Sequence, residues 1–202
     1  MKKSIMAMLI LVMFSFSPYA HGNNLEVLGD GLIYDKDLNI TWYDFTYKPP
    51  YLHFFGATWQ QAMDWASSLN VGGVSGWTLP TSDSCTGYGC TESQMGHLFY
   101  TELGLSPQNN LFNSSQYPFI NLSGDTYYWS STTRITESNE VQAFFFGLNY
   151  GYQNSSPKNT PYYAIAVHEG RVAVPEPASI LLVGIGLLGV AGLRRKFQEY
   201  RL

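Results

Sequence analysis

The stretch VPEPASILLVGIGLLGVAGLRRK, Val174 to Lys196, constrains this chain more than any other. Proline locks its own φ and pushes its predecessor out of the helical region, so Pro175-Glu176-Pro177 makes a stiff, extended approach. The run from Ala178 to Leu193 carries no charge, and Arg194, Arg195 and Lys196 close it. At helical rise that run spans roughly 24 Å, a little less than the ~30 Å core of a bilayer, and snorkelling arginines make up the difference. One transmembrane helix with its basic end in the cytoplasm is expected, which places everything before Pro175 outside. Any globular fold has to be built upstream.

The order of Pro175, Glu176 and Pro177, a glycine- and leucine-rich span, and then Arg194, Arg195 and Lys196 resembles the PEP-CTERM sorting signal of Gram-negative bacteria. The resemblance implies recognition by an exosortase, a membrane-embedded transpeptidase-like enzyme, in the inner membrane. An extended peptide at the triplet suits such a site. The plainer alternative is a single-pass tail anchor behind a proline linker. Gly184, Gly186 and Gly189 also spell G-x-G-x-x-G, but no strand precedes them and no acidic residue follows at the spacing a ribose needs.

At the other end, Lys2 and Lys3, the apolar run Ile5 to Phe16 and the small residues of Ala20-His21-Gly22 have the order of a secretory signal peptide. The expected organisation is a signal peptide over 1–22, an exported domain over 23–173 and a sorting segment over 174–202. Between Asn23 and Val174 five basic side chains face thirteen acidic ones, a balance of −8. An acidic surface without a basic stripe repels phosphate backbones, so nucleic acid is excluded as a partner.

Cys85 and Cys90 are the two cysteines, with Thr-Gly-Tyr-Gly between them. In an oxidising compartment a close pair in a glycine-rich loop is expected to form a disulfide. The rival is a metal site of Cys85, Cys90 and His97, although structural zinc wants four ligands.

Leu25 to Leu28, Gly31 to Tyr34 and Ile40 to Phe45 alternate as strands, the last two joined by the turn Asp35 to Asn39. Thr58 and Gln61 form a capping-box signature ahead of Trp59, Ala62, Met63, Ala66 and Leu69 at helical spacing, with Gly72-Gly73 as the stop. A second helix is expected with Thr91 as cap, Met95, Leu98, Phe99 and Leu103 as its apolar stripe and Gly104 at its end. Ser106 to Asn121 is a long polar connection, expected to be either functional or tied down by Leu111, Phe112, Phe119 and Ile120. Strands return at Tyr127 to Thr133, Val141 to Gly147 and Tyr162 to Val167, and His168-Glu169-Gly170-Arg171 forms a turn. This order gives α+β: an antiparallel sheet with two helices, plus the C-terminal transmembrane helix.

Gly76-Trp-Thr-Leu-Pro-Thr81 followed by Tyr128-Trp-Ser-Ser-Thr132 resembles the Lcl-C type, a bacterial domain family of unknown function on collagen-like surface proteins. The resemblance covers about Gly31 to Val172 and implies a C-type-lectin-like fold, related to the formylglycine-generating enzymes, in which these blocks are structural. Thr78 stands where that family usually has arginine, and the Cys85–Cys90 loop is an insertion.

Little points to catalysis. His53, His97 and His168 show no metal-ligand spacing, and His97 is expected to be a hydrogen-bonded, half-buried side chain. Ser130 and Ser131 lie in a strand, with no G-x-S-x-G in the chain. No enzyme activity and no cofactor are expected. A calcium site drawn from Asp83, Glu92 or Asp125 lacks an Asp-rich loop. Binding is the stronger expectation, with Tyr51, Tyr88, Tyr117, Tyr150 and Tyr152 available to stack on sugars and an exopolysaccharide as the candidate partner. The alternatives are an enzyme of the formylglycine-generating type and an ice-binding adhesin, the latter without the Thr-x-Thr ladder it would need.

Overall fold

The computed structural model describes residues 24–51, 54–107, 117–124 and 126–173, with backbone alone for residues 50, 51, 54 and 55. Strands β1 (Leu25–Gly29), β2 (Leu32–Asp35) and β3 (Ile40–Tyr47) form a meander. The β1–β2 turn needs left-handed backbone at Asp30 and Gly31, with φ of 52° and 74°. Short strands β4 (Pro50–Tyr51) and β5 (Phe54–Phe55) pair with each other. Helix α1 (Trp59–Ser68) opens on the expected capping box, Thr58 and Gln61 each holding the other's backbone N–H.

Strand β6 (Gly87–Tyr88) precedes helix α2 (Gln94–His97), which widens at once into a π-helical turn, Leu98–Glu102. Strands β7 (Tyr127–Ile135), β8 (Val141–Gly147), β9 (Tyr152–Pro157) and β10 (Ala164–Glu169) complete the fold. They make two four-stranded antiparallel sheets, ordered β1-β2-β3-β10 and β6-β9-β8-β7. Backbone hydrogen bonds lace the sheets together where Trp129 N donates to Tyr163 O and Tyr163 N to Tyr127 O, both at 2.9 Å. The class is α+β, dominated by sheet.

Period-two alternation sends neighbouring residues of one strand into two different cores. Ile33, Trp42, Tyr128, Phe146, Ile165 and Val167 meet Met95, Leu98 and Phe99 from the second helical segment. Their neighbours Leu32, Trp129, Phe145, Ala164 and Ala166 meet Ala62 and Ala66 of α1. Each helical segment therefore covers one face of the strands. All of these side chains are buried, and truncating any of the large ones costs about 3–5 kcal/mol.

Several expectations are corrected. The cap of α2 is Ser93, whose hydroxyl accepts from Gly96 N, and not Thr91, which is exposed. Helix α1 ends at Leu69, with extended backbone, and Gly72-Gly73 instead form the tip of a small loop closed by Val71 and Val74. Ile120 is 80% exposed, so its side chain is no apolar anchor, whereas Phe119 is buried; Leu111 and Phe112 lie outside the described residues. His168 and Glu169 belong to β10, and the chain turns at Gly170, φ 74°. Strand β9 is additional to those expected.

No helix among the described residues is long and apolar enough to cross a membrane. The signal-peptide segment, the Pro175–Pro177 triplet, the apolar run and Arg194–Lys196 lie outside the described residues.

Candidate functional site

Strand β3 sends Trp42, Asp44 and Thr46 to one face and Tyr43, Phe45 and Tyr47 to the other, where the two tyrosines are half-buried against the α1 core, Phe45 is exposed, and the three form an aromatic strip. Tyr43 and Phe45 stack at 5.7 Å between centroids and 14° between planes. From α1, Trp65 stacks on Tyr47 at 4.8 Å and 2° and approaches Phe45 to 6.2 Å. Tyr43 leans on the buried Trp77 at 5.8 Å, which fixes the strip's inner end. Phe45 is 45% exposed at its centre. A phenyl ring left in water between fixed rings gains by taking an apolar partner on its open side.

A shallow depression of about 400 Å³ adjoins the strip, lined by Phe45, Thr46, Tyr47, Lys48, Pro49 and Asn121. Its far wall is held by Asp44, whose side chain is buried. Asp44 accepts hydrogen bonds from Ile120 N at 2.8 Å and Asn121 N at 3.1 Å, and Asn121 Nδ2 donates to Asp44 O at 2.9 Å. Thr46 Oγ1 donates to Asn121 O at 2.6 Å. Polar groups of Asn121 and Lys48 thus stand beside aromatic faces.

The tyrosines singled out from the sequence do not gather into one surface. Tyr88, 61% exposed, meets Tyr152 edge-on at 5.2 Å beside the disulfide loop, and Tyr152 belongs to β9. Tyr117 and Tyr150 are exposed, and Tyr51 lies where backbone alone is described. The Tyr43-x-Phe45-x-Tyr47 alternation was the signal for the strip, since residues two apart on a strand share a face.

Cys85 and Cys90 are joined, with Cα atoms 5.6 Å apart, which removes them as metal ligands beside His97. Gln153 Nε2 donates to Asp83 Oδ1 and to Cys85 O, both at 2.8 Å, so Asp83 serves to hold this loop on β9. Glu92 is exposed, and Asp125 lies outside the described residues. Ser130 is buried; its Oγ accepts from Thr132 N at 3.0 Å and its carbonyl from Trp59 Nε1 at 2.8 Å. Ser131 N donates to Pro80 O, and Thr132 Oγ1 donates to Ser82 O, so the two motif blocks are stitched to each other. His168 packs on the Trp77 ring at 5.5 Å, and His53 lies outside the described residues.

His97 is half-buried, with Nε2 3.3 Å from Glu102 Oε1 and 3.8 Å from Asp37 Oδ2. Burial first, and then the nearby Asp35 carboxylate, push the Glu102 carboxyl above its ordinary value; the Asn24 N–H and His97 pull the other way. Sequence spacing hides this group, because His97 and Glu102 are five apart and an α-helix would point them in different directions. The widened turn, in which Leu103 N donates to Leu98 O, brings them together.

Residues 173–196 match the family model of the PEP-CTERM protein-sorting motif. The PEP-CTERM motif marks an exported protein that is processed by exosortase and passes through a membrane-anchored precursor at the inner membrane. The match to the PEP-CTERM model begins where the described residues end, so it speaks for the tail alone. Comparison with curated proteins and with solved structures returns no match.

Proposed function

We propose that the region over 23–173 is a single exported domain that binds carbohydrate polymer at the cell surface or in the extracellular matrix, and that it is not an enzyme. The observation that carries the reading is the aromatic strip in which exposed Phe45 lies between half-buried Tyr43 and Tyr47, backed by Trp65 and bordered by Asn121 and Lys48. Rings fixed in place before binding lose little side-chain entropy, which is the economical way to hold a repeating sugar chain. The acidic balance of the domain favours a neutral or cation-carrying polysaccharide over a strongly anionic one. The Lcl-C-type, C-type-lectin-like assignment belongs to this same reading and rests on the two motif blocks, which lie side by side. Against catalysis stands the engagement of Ser130, Cys85 and Cys90 in the framework.

The test is a binding screen of the exported protein against the exopolysaccharide of its own producer and an array of neutral glycans. Retention on a polymer by the parent protein and its loss in Phe45→Ala is the expected result. Retention unchanged in both Phe45→Ala and Trp65→Ala would remove the strip from the account, and absence of any retention would remove the function.

A further inference from the structure

Three side chains from two parts of the chain, the end of β2 and the second helical segment, converge. Asp35 ends β2, His97 ends α2 and Glu102 closes the π-helical turn, and one ligand atom from each lies within 4.8 Å of the others. We propose that Asp35, His97 and Glu102 form a binding site for a divalent cation of the zinc class, which clamps the β2–β3 turn to the second helical segment.

The donors suit such an ion. One imidazole with two carboxylates matches zinc or manganese better than calcium, which takes oxygen ligands alone. The His97–Glu102 separation of 3.3 Å is the spacing of two donors around one small ion about 2.1 Å from each. His97 keeps 18% of its side chain exposed, which leaves an approach from solvent. Asp37, 42% exposed, stands 3.8 Å from His97 Nε2 and is placed to become a fourth ligand.

The carboxylates are also aimed. Glu102 Oε2 accepts from Asn24 N at 2.9 Å, and its Oε1 faces His97. Asp35 Oδ1 accepts from Asp37 N and Leu38 N at 3.1 and 3.0 Å, while Trp42 Nε1 reaches Oδ2 at 3.4 Å. Outer hydrogen bonds of this kind fix ligand orientation before an ion arrives. Asp35 and Glu102 are 0% and 5% exposed, and two carboxylates buried side by side repel unless a proton or a cation lies between them. The π-helical turn that brings His97 beside Glu102 is a rare backbone form that recurs at functional sites. The proposal is independent of polymer binding.

Full-length, tag-free protein in detergent is stripped with a chelator and titrated with Zn²⁺ at neutral pH by calorimetry, with Mn²⁺ and Ca²⁺ in parallel. One Zn²⁺ per chain and a raised melting temperature are expected, with Ca²⁺ weaker. Loss of an outer-shell partner typically costs 10–100-fold in affinity, so His97→Ala should cost at least about 100-fold. Glu102→Gln should do the same, and His97→Gln, of similar size, guards against a variant that fails to fold. Asp64→Asn, an exposed acid on α1, should bind as the parent does. No Zn²⁺ binding by the parent, or equal binding by parent and both His97 variants, overturns the site.

Discussion

Trp65 lies parallel to Tyr47, 2° between their planes and 4.8 Å between their centroids, although one belongs to α1 and the other to β3. The contact sets the end of the aromatic strip and ties its geometry to the packing of α1. Trp65→Ala should therefore weaken polymer retention and also lower stability, by about 1–3 kcal/mol for a half-buried ring. Phe45→Ala, at an exposed position, should weaken retention with stability changed by roughly 0.5 kcal/mol or less. Affinity electrophoresis and thermal melts on the two variants separate these effects.

Glu102 has a carboxyl raised by burial, so its ionisation works against folding. A group whose folded value lies above its unfolded one adds stability that is complete below the unfolded value and lost as pH rises through the folded value. Stability should fall as pH climbs from about 4.5, the ordinary value for this carboxyl, and Glu102→Gln should flatten that slope. Chelator-treated protein melted across pH 4 to 7 checks it; equal slopes in parent and variant would refute it.

The Cys85–Cys90 bridge closes a loop five residues apart in sequence. By the loop-entropy estimate such a short closure stabilises by roughly 2 kcal/mol. A Cys85→Ser/Cys90→Ser variant should stay folded and melt a few degrees lower, with backbone exchange quickening around Gly87 and Tyr88. Global unfolding on reduction would show that the bridge holds far more than its loop.

Gly96 allows no side chain. A Cβ there would run into the carbonyl of Cys90 and lie 2.7 Å from Ser93 Oγ. Gly96→Ala should cost about 1–3 kcal/mol, because the obstacle is backbone held by the disulfide loop. Denaturant unfolding measures it, and a cost below 0.5 kcal/mol would mean that the loop yields easily.

Processing at the tail should depend on the PEP-CTERM motif. Replacing Pro175-Glu176-Pro177 by alanines is expected to leave a full-length band in cells where the parent chain is shortened, and the parent chain should stay full-length in a host lacking exosortase. Immunoblots of an epitope-tagged chain decide between these outcomes.

Elements with a strong period were legible from the residues. The Thr58–Gln61 box with Ala62 and Ala66 behind it announces α1, and Val141 to Gly147 announces β8 through its aromatic run. Strand β9, Tyr152-Gln-Asn-Ser-Ser-Pro157, escaped because it has no apolar alternation; it is held by Gly87 and Tyr88 on one side and Gln142 to Gly147 on the other. The expected α2 ran too long since Leu98, Phe99 and Leu103 keep helical spacing even where the backbone widens into a π turn. That widening also hid the pairing of His97 with Glu102, and Asp35 reaches them only through tertiary packing. The aromatic strip was written in β3 itself, but its stacking partner Trp65 comes from a helix eighteen residues beyond Tyr47 in sequence.

Strand β10 pairs antiparallel with β3, placing Ala166 beside Tyr43 and Glu169 beside Ile40, and just past it the chain runs on to the sorting segment. A polymer gripped by Tyr43, Phe45 and Tyr47 would thus pull on the strand next to the one that leads to the tether. Under the proposed polymer-binding role, force on β3 would reach the tail across that one ladder of backbone hydrogen bonds to β10.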